Sequence, residues 1–232
     1  MPQIIQAVNK LCTSRNFIFL GVYCLLFLGA FLINHYEPVP TLLFVVDFSY
    51  KIFCLWVLVV ISNQLGSGLL SKQLSNGQTR KSLYKEMILL VLSSSVLFYV
   101  LTLILFSSFV LQNEQYSSDF HELMGLPFLG FVSVGFLALI VGLFIKRPMV
   151  AIVVGYFLID LDKLPAMVIS KMVSPDLGLV FPYYASTSLI GKGLNSELYE
   201  APDMGLRLLA VLFFIFLFTR LAYNRIMNMD FD

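Results

Sequence analysis

Long apolar runs separated by short polar intervals set the character of this chain. Asn16 to Ile33, Thr41 to Ser62, Met87 to Val110, Leu123 to Ile145 and Met204 to Tyr223 are each mostly apolar. A helix rises 1.5 Å per residue, so about 20 such residues cross a ~30 Å hydrocarbon core. Another run opens at Met149, but Asp160, Asp162 and Lys163 arrive after only about a dozen apolar residues, and Pro165 follows. This fifth segment either continues as helix through Ala166-Met167-Val168-Ile169 with its charges facing protein, or includes a re-entrant segment. Ahead of the first run, Ile4, Ile5, Val8, Leu11 and Cys12 share one helical face over residues 3–15. That spacing predicts a short amphipathic helix in the membrane interface.

The polar intervals sort by charge. Lys10, Arg15, Lys72, Arg80, Lys81, Lys85, Lys146, Arg147, Arg220 and Arg225 fall in alternate intervals and at the chain ends. The intervals around 34–40 and 111–122 hold no Lys or Arg. By the positive-inside rule, the pattern predicts six crossings with both termini cytoplasmic. The fold class expected is an all-α integral membrane protein, one transmembrane domain over residues 1–232. Between Ser174 and Asp203, Phe181-Pro182-Tyr183-Tyr184 suits the outer interface, so 160–203 reads as an outer or re-entrant region.

The longest basic interval, residues 63–85, stands out. Leu69, Leu70 and Leu74 are spaced for a short amphipathic helix, and Asn76-Gly77 is a helix-ending turn signal. The interval is either a connector that sets topology or a surface on which a soluble partner seats.

Composition agrees with a membrane setting. Of 232 residues, 59% are hydrophobic and 12% charged, against about 25% charged in soluble domains. A net charge of +1 and the lack of a basic run give no sign of nucleic-acid binding. Cys12, Cys24 and Cys54 lie at or within apolar runs without CxxC spacing, which argues against a zinc site or a disulfide framework. The acidic interval Glu114, Asp119, His121 and Glu122 has one His and no regular ligand spacing, so no metal site is expected there.

Ionisable residues inside a span usually face protein or water. Asp47 and Lys51 stand four apart on the second span and can pair on one helix face. They are either a self-neutralised pair near the outer end, with Lys51 snorkelling, or part of a route for substrate. Asp160 and Asp162 raise the same question on the fifth span. Ser93-Ser94-Ser95 reads as a helix-packing element whose hydroxyls bond the preceding turn. No P-loop, HExxH, nucleophile elbow or K⁺-type filter sequence occurs, so no catalytic residue is expected on this chain.

Gly77-Gln78-Thr79-Arg80 in the basic interval, Lys85 at the start of span three, and Phe181-Pro182 before the last span match one pattern. In this order of features the chain resembles the permease subunit of an ABC-2 type exporter. The charged run Asp160-Leu161-Asp162-Lys163 departs from that pattern. The resemblance implies a translocation pathway formed by two permeases, identical or homologous, in a bacterial plasma membrane. It implies a separate ABC ATPase, in two copies, carrying ATP and Mg²⁺. Leu69, Leu70, Leu74, Gly77, Arg80, Lys81 and Lys85 would then couple the chain to that ATPase, with Arg80 and Lys81 meeting its acids or anionic membrane lipids. The alternatives are a non-transporting membrane scaffold, a membrane-embedded enzyme, and an ion-coupled secondary transporter in which Asp47, Asp160 and Asp162 carry protons.

Overall fold

The computed structural model describes residues 38–110, 127–145, 147–189 and 204–229. The interfacial helix over 3–15, the first span, the acidic interval 111–122, Lys146 and the polar stretch 190–203 lie outside the described residues. Among the described residues every regular element is helical. They are α1 (Pro38–Gly66), α2 (Leu69–Ser75), α3 (Arg80–Val110), α4 (Pro127–Gly142) and α5 (Pro148–Met172), then a 3-10 turn (Pro175–Val180), α6 (Pro182–Ser188) and α7 (Met204–Met227).

Among the described residues three segments are long and apolar enough to cross a membrane: Asp47–Gly66 of α1, Arg80–Ile104 of α3, and α7. That is the mark of a membrane protein. α4 is a shorter apolar helix. α5, at 25 residues, has the length but carries Asp160, Asp162 and Lys163 in its body. Its helix is continuous through Ala166-Met167-Val168-Ile169. Pro165 sits inside it; proline removes the bond to the carbonyl four residues back without ending this helix.

Helix ends extend beyond the apolar runs. Pro38 and Pro40 open α1 and do not sit in a loop ahead of it, because the first turn has no need of their missing N–H groups. α3 starts at Arg80, so Lys85 is inside a helix. Thr79 caps it: its Oγ1 accepts from the Ser82 N–H at 3.2 Å.

α4 is the centre of the bundle, packed against α1, α3, α6 and α7. Its glycines let large side chains approach. A Cβ at Gly135 would lie 2.8 Å from Val91 and 3.0 Å from the Phe53 ring, and one at Gly142 would lie 3.0 Å from Ile61. Tyr50 meets Phe131 edge-on at 4.6 Å between ring centroids, and Phe53 meets Phe98 at 5.1 Å. In lipid such packing, rather than escape from water, holds helices together. The serine run behaves as its composition predicts. Ser93 and Ser95 donate to the carbonyls of Leu90 and Val91 at 3.1 and 2.8 Å, and Ser94 donates to Leu90.

The contacts fix helix direction. Tyr50 donates to the Pro127 carbonyl and Ile61 lies at Gly142, so α1 and α4 run parallel. Val91 lies at Gly135 and Tyr99 meets Phe128, so α3 runs against α4. Lys163 reaches Asp47 and Gly155 lies at Leu58, so α5 runs against α1. Tyr84 donates to the Thr219 carbonyl and Arg80 to that of Met227, so α7 runs against α3. Lys72, Arg80, Lys81, Lys85, Arg147, Arg220 and Arg225 therefore collect at one end of the bundle, with Glu86 as the acid found there among the described residues.

Candidate functional site

Two constellations stand out, one at each end of the bundle. At the basic end, α2 is a seven-residue helix held between two glycines. Gly68 and Gly77 have φ of 64° and 86°, a region open to glycine and costly for residues with a Cβ. The Gln78 N–H donates to the Gln73 carbonyl at 3.1 Å and the Gly77 N–H to Leu74 at 3.0 Å. This paired closure ends a helix in a fixed turn and satisfies its last carbonyls. Gln78 then donates to the Glu86 carboxylate at 2.8 Å.

The predicted coupling residues divide in two. Leu70 is 2% exposed and anchors α2 on the bundle, while Leu69, at 37%, faces out. Leu74 is half-buried, and Lys72, Lys81 and Lys85 are exposed. Arg80 is half-buried and turned inward, where it donates to the Met227 carbonyl at the end of α7. A cation at a helix C-terminus is favoured by the dipole. Arg80 thus ties the start of α3 to the end of α7, a role the resemblance does not supply. Close by, the Arg225 guanidinium lies over the Phe144 ring at 4.5 Å.

At the opposite end, Asp47 is the hub. Its Oδ2 is 2.9 Å from Lys163 Nζ on α5 and 4.0 Å from Lys51 Nζ. The cross-helix cation is therefore nearer than the one a turn away. Tyr183 of α6 is fully buried, and its hydroxyl donates to Asp47 Oδ1 and to the Asp47 carbonyl, each at 3.2 Å. Burial, then the neighbouring Asp47 carboxylate, pushes the Tyr183 phenol well above its ordinary range. It stays protonated and so remains a donor.

The next residues on each element complete the network. Consecutive helical positions point about 100° apart, so while Lys163 turns to α1, Asp162 turns to α6. Asp162 Oδ2 accepts from the Tyr184 N–H at 2.9 Å, and Tyr184 Oη bonds Ser170 Oγ at 3.1 Å. Arg207, 5% exposed at the start of α7, donates to the Ser188 carbonyl at 2.9 Å and holds the far end of α6. The side chain of Asp160 lies outside the described residues.

Sequence reasoning picked Asp47, Lys51 and Asp162 but not Tyr183, Tyr184 or Arg207. The signal for Tyr183 and Tyr184 was present as an aromatic-proline stretch, legible as interface residues and not as ligands to carboxylates. The network joins α1, α5 and α6 by charge and hydrogen bonds. Among the described residues no group of three or more His, Cys, Asp and Glu could hold a metal ion. Compared with known proteins, the chain matches no family model, no curated protein and no solved structure.

Proposed function

We propose that this chain is the membrane-spanning permease subunit of an ATP-driven exporter, seated in the plasma membrane of a bacterium. Six spans, two of them outside the described residues in part or whole, would put both termini in the cytoplasm. Two such subunits would form the pathway, and each would take its power stroke from a separate ATPase bound at the basic end. The 3-10 turn and α6 would form an outer re-entrant element. No catalytic group on this chain takes part, and ATP and Mg²⁺ belong to the partner.

The observation that carries the reading is α2. A short helix between two left-handed glycines, anchored by Leu70, leads through a fixed turn into α3, whose first residue Arg80 is tied to the end of α7. Displacement pressed onto its exposed side would pass to α1, on which α2 packs, and through the closing turn and Gln78–Glu86 to α3. A flexible connector would absorb it. Leu69 and Lys72 are the outward residues that a partner meets first.

The test is co-purification of the full chain with its co-expressed ATPase, followed by ATP-dependent export. Leu69→Asp with Lys72→Glu is expected to lose the ATPase while leaving the chain's own melting temperature unchanged. Arg80→Glu is expected to keep assembly but uncouple hydrolysis from export, because it cuts the brace to α7. Retention of both assembly and export in the two variants sinks the reading. A second reading, an ion-coupled carrier, is favoured by the Asp47–Lys163 pair, since ionisable groups within a membrane mark ion pathways. Transport driven by a proton gradient without ATP would select it.

A further inference from the structure

We infer that the exposed face along the α3–α7 seam at the basic end binds one anionic phospholipid, with its phosphate at Lys81, Lys85 and Arg220. Tyr84 and Tyr223 join the two helices there, edge-on at 5.2 Å, and the Tyr84 hydroxyl donates to the Thr219 carbonyl. Lys81 and Lys85 are one helical turn apart on α3, next to Tyr84, and both are exposed. Arg220, also exposed, follows Thr219 on α7, and its guanidinium lies 5.8 Å from the Tyr223 ring centroid. Three cations thus flank one aromatic seam. Glu86, the acid at this end among the described residues, accepts instead from Gln78 on the loop side.

The apolar surface below the cations selects a lipid over a soluble anion. On α3, Leu92, Val96 and Val100 are exposed and continue the face that Lys81 and Lys85 begin. On α7, Leu209, Phe213 and Phe216 are exposed at the same helical phase as Arg220. From Lys85 to Val96, and from Leu209 to Arg220, is 11 residues. That is ~16 Å of helix, about half of a ~30 Å hydrocarbon core, the depth of one leaflet. The two stripes suit acyl chains, and the tyrosines sit at headgroup level, where such amphipathic rings are favoured. The site requires only that the chain spans a membrane, and it holds whether or not the chain is a permease.

The full chain is purified in mild detergent with equimolar phosphatidylglycerol and phosphatidylcholine, and retained lipids are counted by native mass spectrometry. Each basic residue at an anionic leaflet is worth about fivefold in binding. Phosphatidylglycerol is expected to be retained about tenfold or more over phosphatidylcholine. K81Q/K85Q/R220Q is expected to bring the two to parity, and K81R/K85R/R220K to keep the preference. K72Q/R147Q, which removes two cations elsewhere at the same end, is expected to leave it unchanged. Parity in the wild type overturns the site, as does an equal loss in K72Q/R147Q. Displacement of the lipid by millimolar inorganic phosphate would mean a free anion is the ligand and would also overturn it. So would a glutamine variant that retains the lipid but loses an acidic protein partner.

Discussion

Lys163 of α5 holds Asp47 of α1 across the bundle at 2.9 Å, closer than Lys51 on Asp47's own helix at 4.0 Å. The two residues are 116 positions apart in the chain. Their pairing brings together an acid and a base that each cost free energy in an apolar setting, and the Tyr183 hydroxyl completes the carboxylate's shell. Removing either partner leaves the other poorly compensated. Asp47→Asn is therefore expected to destabilise the protein by about 1–3 kcal/mol, read as a lower melting temperature in detergent. Asp47→Asn combined with Lys163→Gln is expected to cost less than the sum of the single changes. Strict additivity in that cycle would show that the pair carries no coupling.

Tyr183→Phe isolates the hydroxyl. The ring stays buried and packed, while Asp47 loses a donor to both its carboxylate and its carbonyl. A loss of about 0.5–1.5 kcal/mol is expected. Tyr183→Leu is expected to cost more, since it also vacates the space that the ring fills. Equal melting temperatures for the wild type and the Phe variant would remove the hydroxyl from the network.

Gly130 is a matter of space, Gly68 of backbone. A Cβ at Gly130 would lie 2.6 Å from Tyr50 Cζ and 3.1 Å from the Ser186 carbonyl oxygen. Gly130→Ala must therefore push Tyr50 off the Pro127 carbonyl, at a cost of about 1–3 kcal/mol. Gly68 has nothing within 4 Å but a φ of 64°. Gly68→Ala is expected to cost about 1 kcal/mol through strain alone. The discriminating measurement adds Tyr50→Phe to each. It is expected to soften the Gly130→Ala defect and leave that of Gly68→Ala unchanged.

Leu70 and Leu69 are neighbours with opposite exposures, 2% and 37%. Leu70→Ala is expected to lose about 2–4 kcal/mol and to loosen α2, seen as faster proteolysis between Gly66 and Thr79. Leu69→Ala is expected to change stability by less than about 0.5 kcal/mol. If the two variants melt alike and resist protease alike, α2 is not anchored through Leu70.

Local rules were enough to read much of this chain. Apolar run length announced the helices of α1, α3 and α7, since a bilayer-spanning helix satisfies its own backbone and needs only apolar side chains outside. The spacing of Leu69, Leu70 and Leu74 and the dipeptide Asn76-Gly77 announced α2 and its closing turn. Those signals live within a few residues of one another, where backbone geometry decides.

The partners of the charges were a different matter. Periodicity along one helix can offer Asp47 only a residue such as Lys51, three or four places away. Which distant side chain arrives instead depends on how α5 and α6 dock in the bundle, on Gly155 setting how closely α5 comes to α1 and on Gly130 setting how closely α4 comes to α1 and α6. Arg80 shows the same limit: its charge marked the basic end, but only packing turned it onto the last carbonyl of α7. What the chain itself determined was which segments are helical and which end is basic, because those follow from composition and spacing. Tertiary structure alone decided which buried charges meet, because that is set by contacts between helices far apart in sequence.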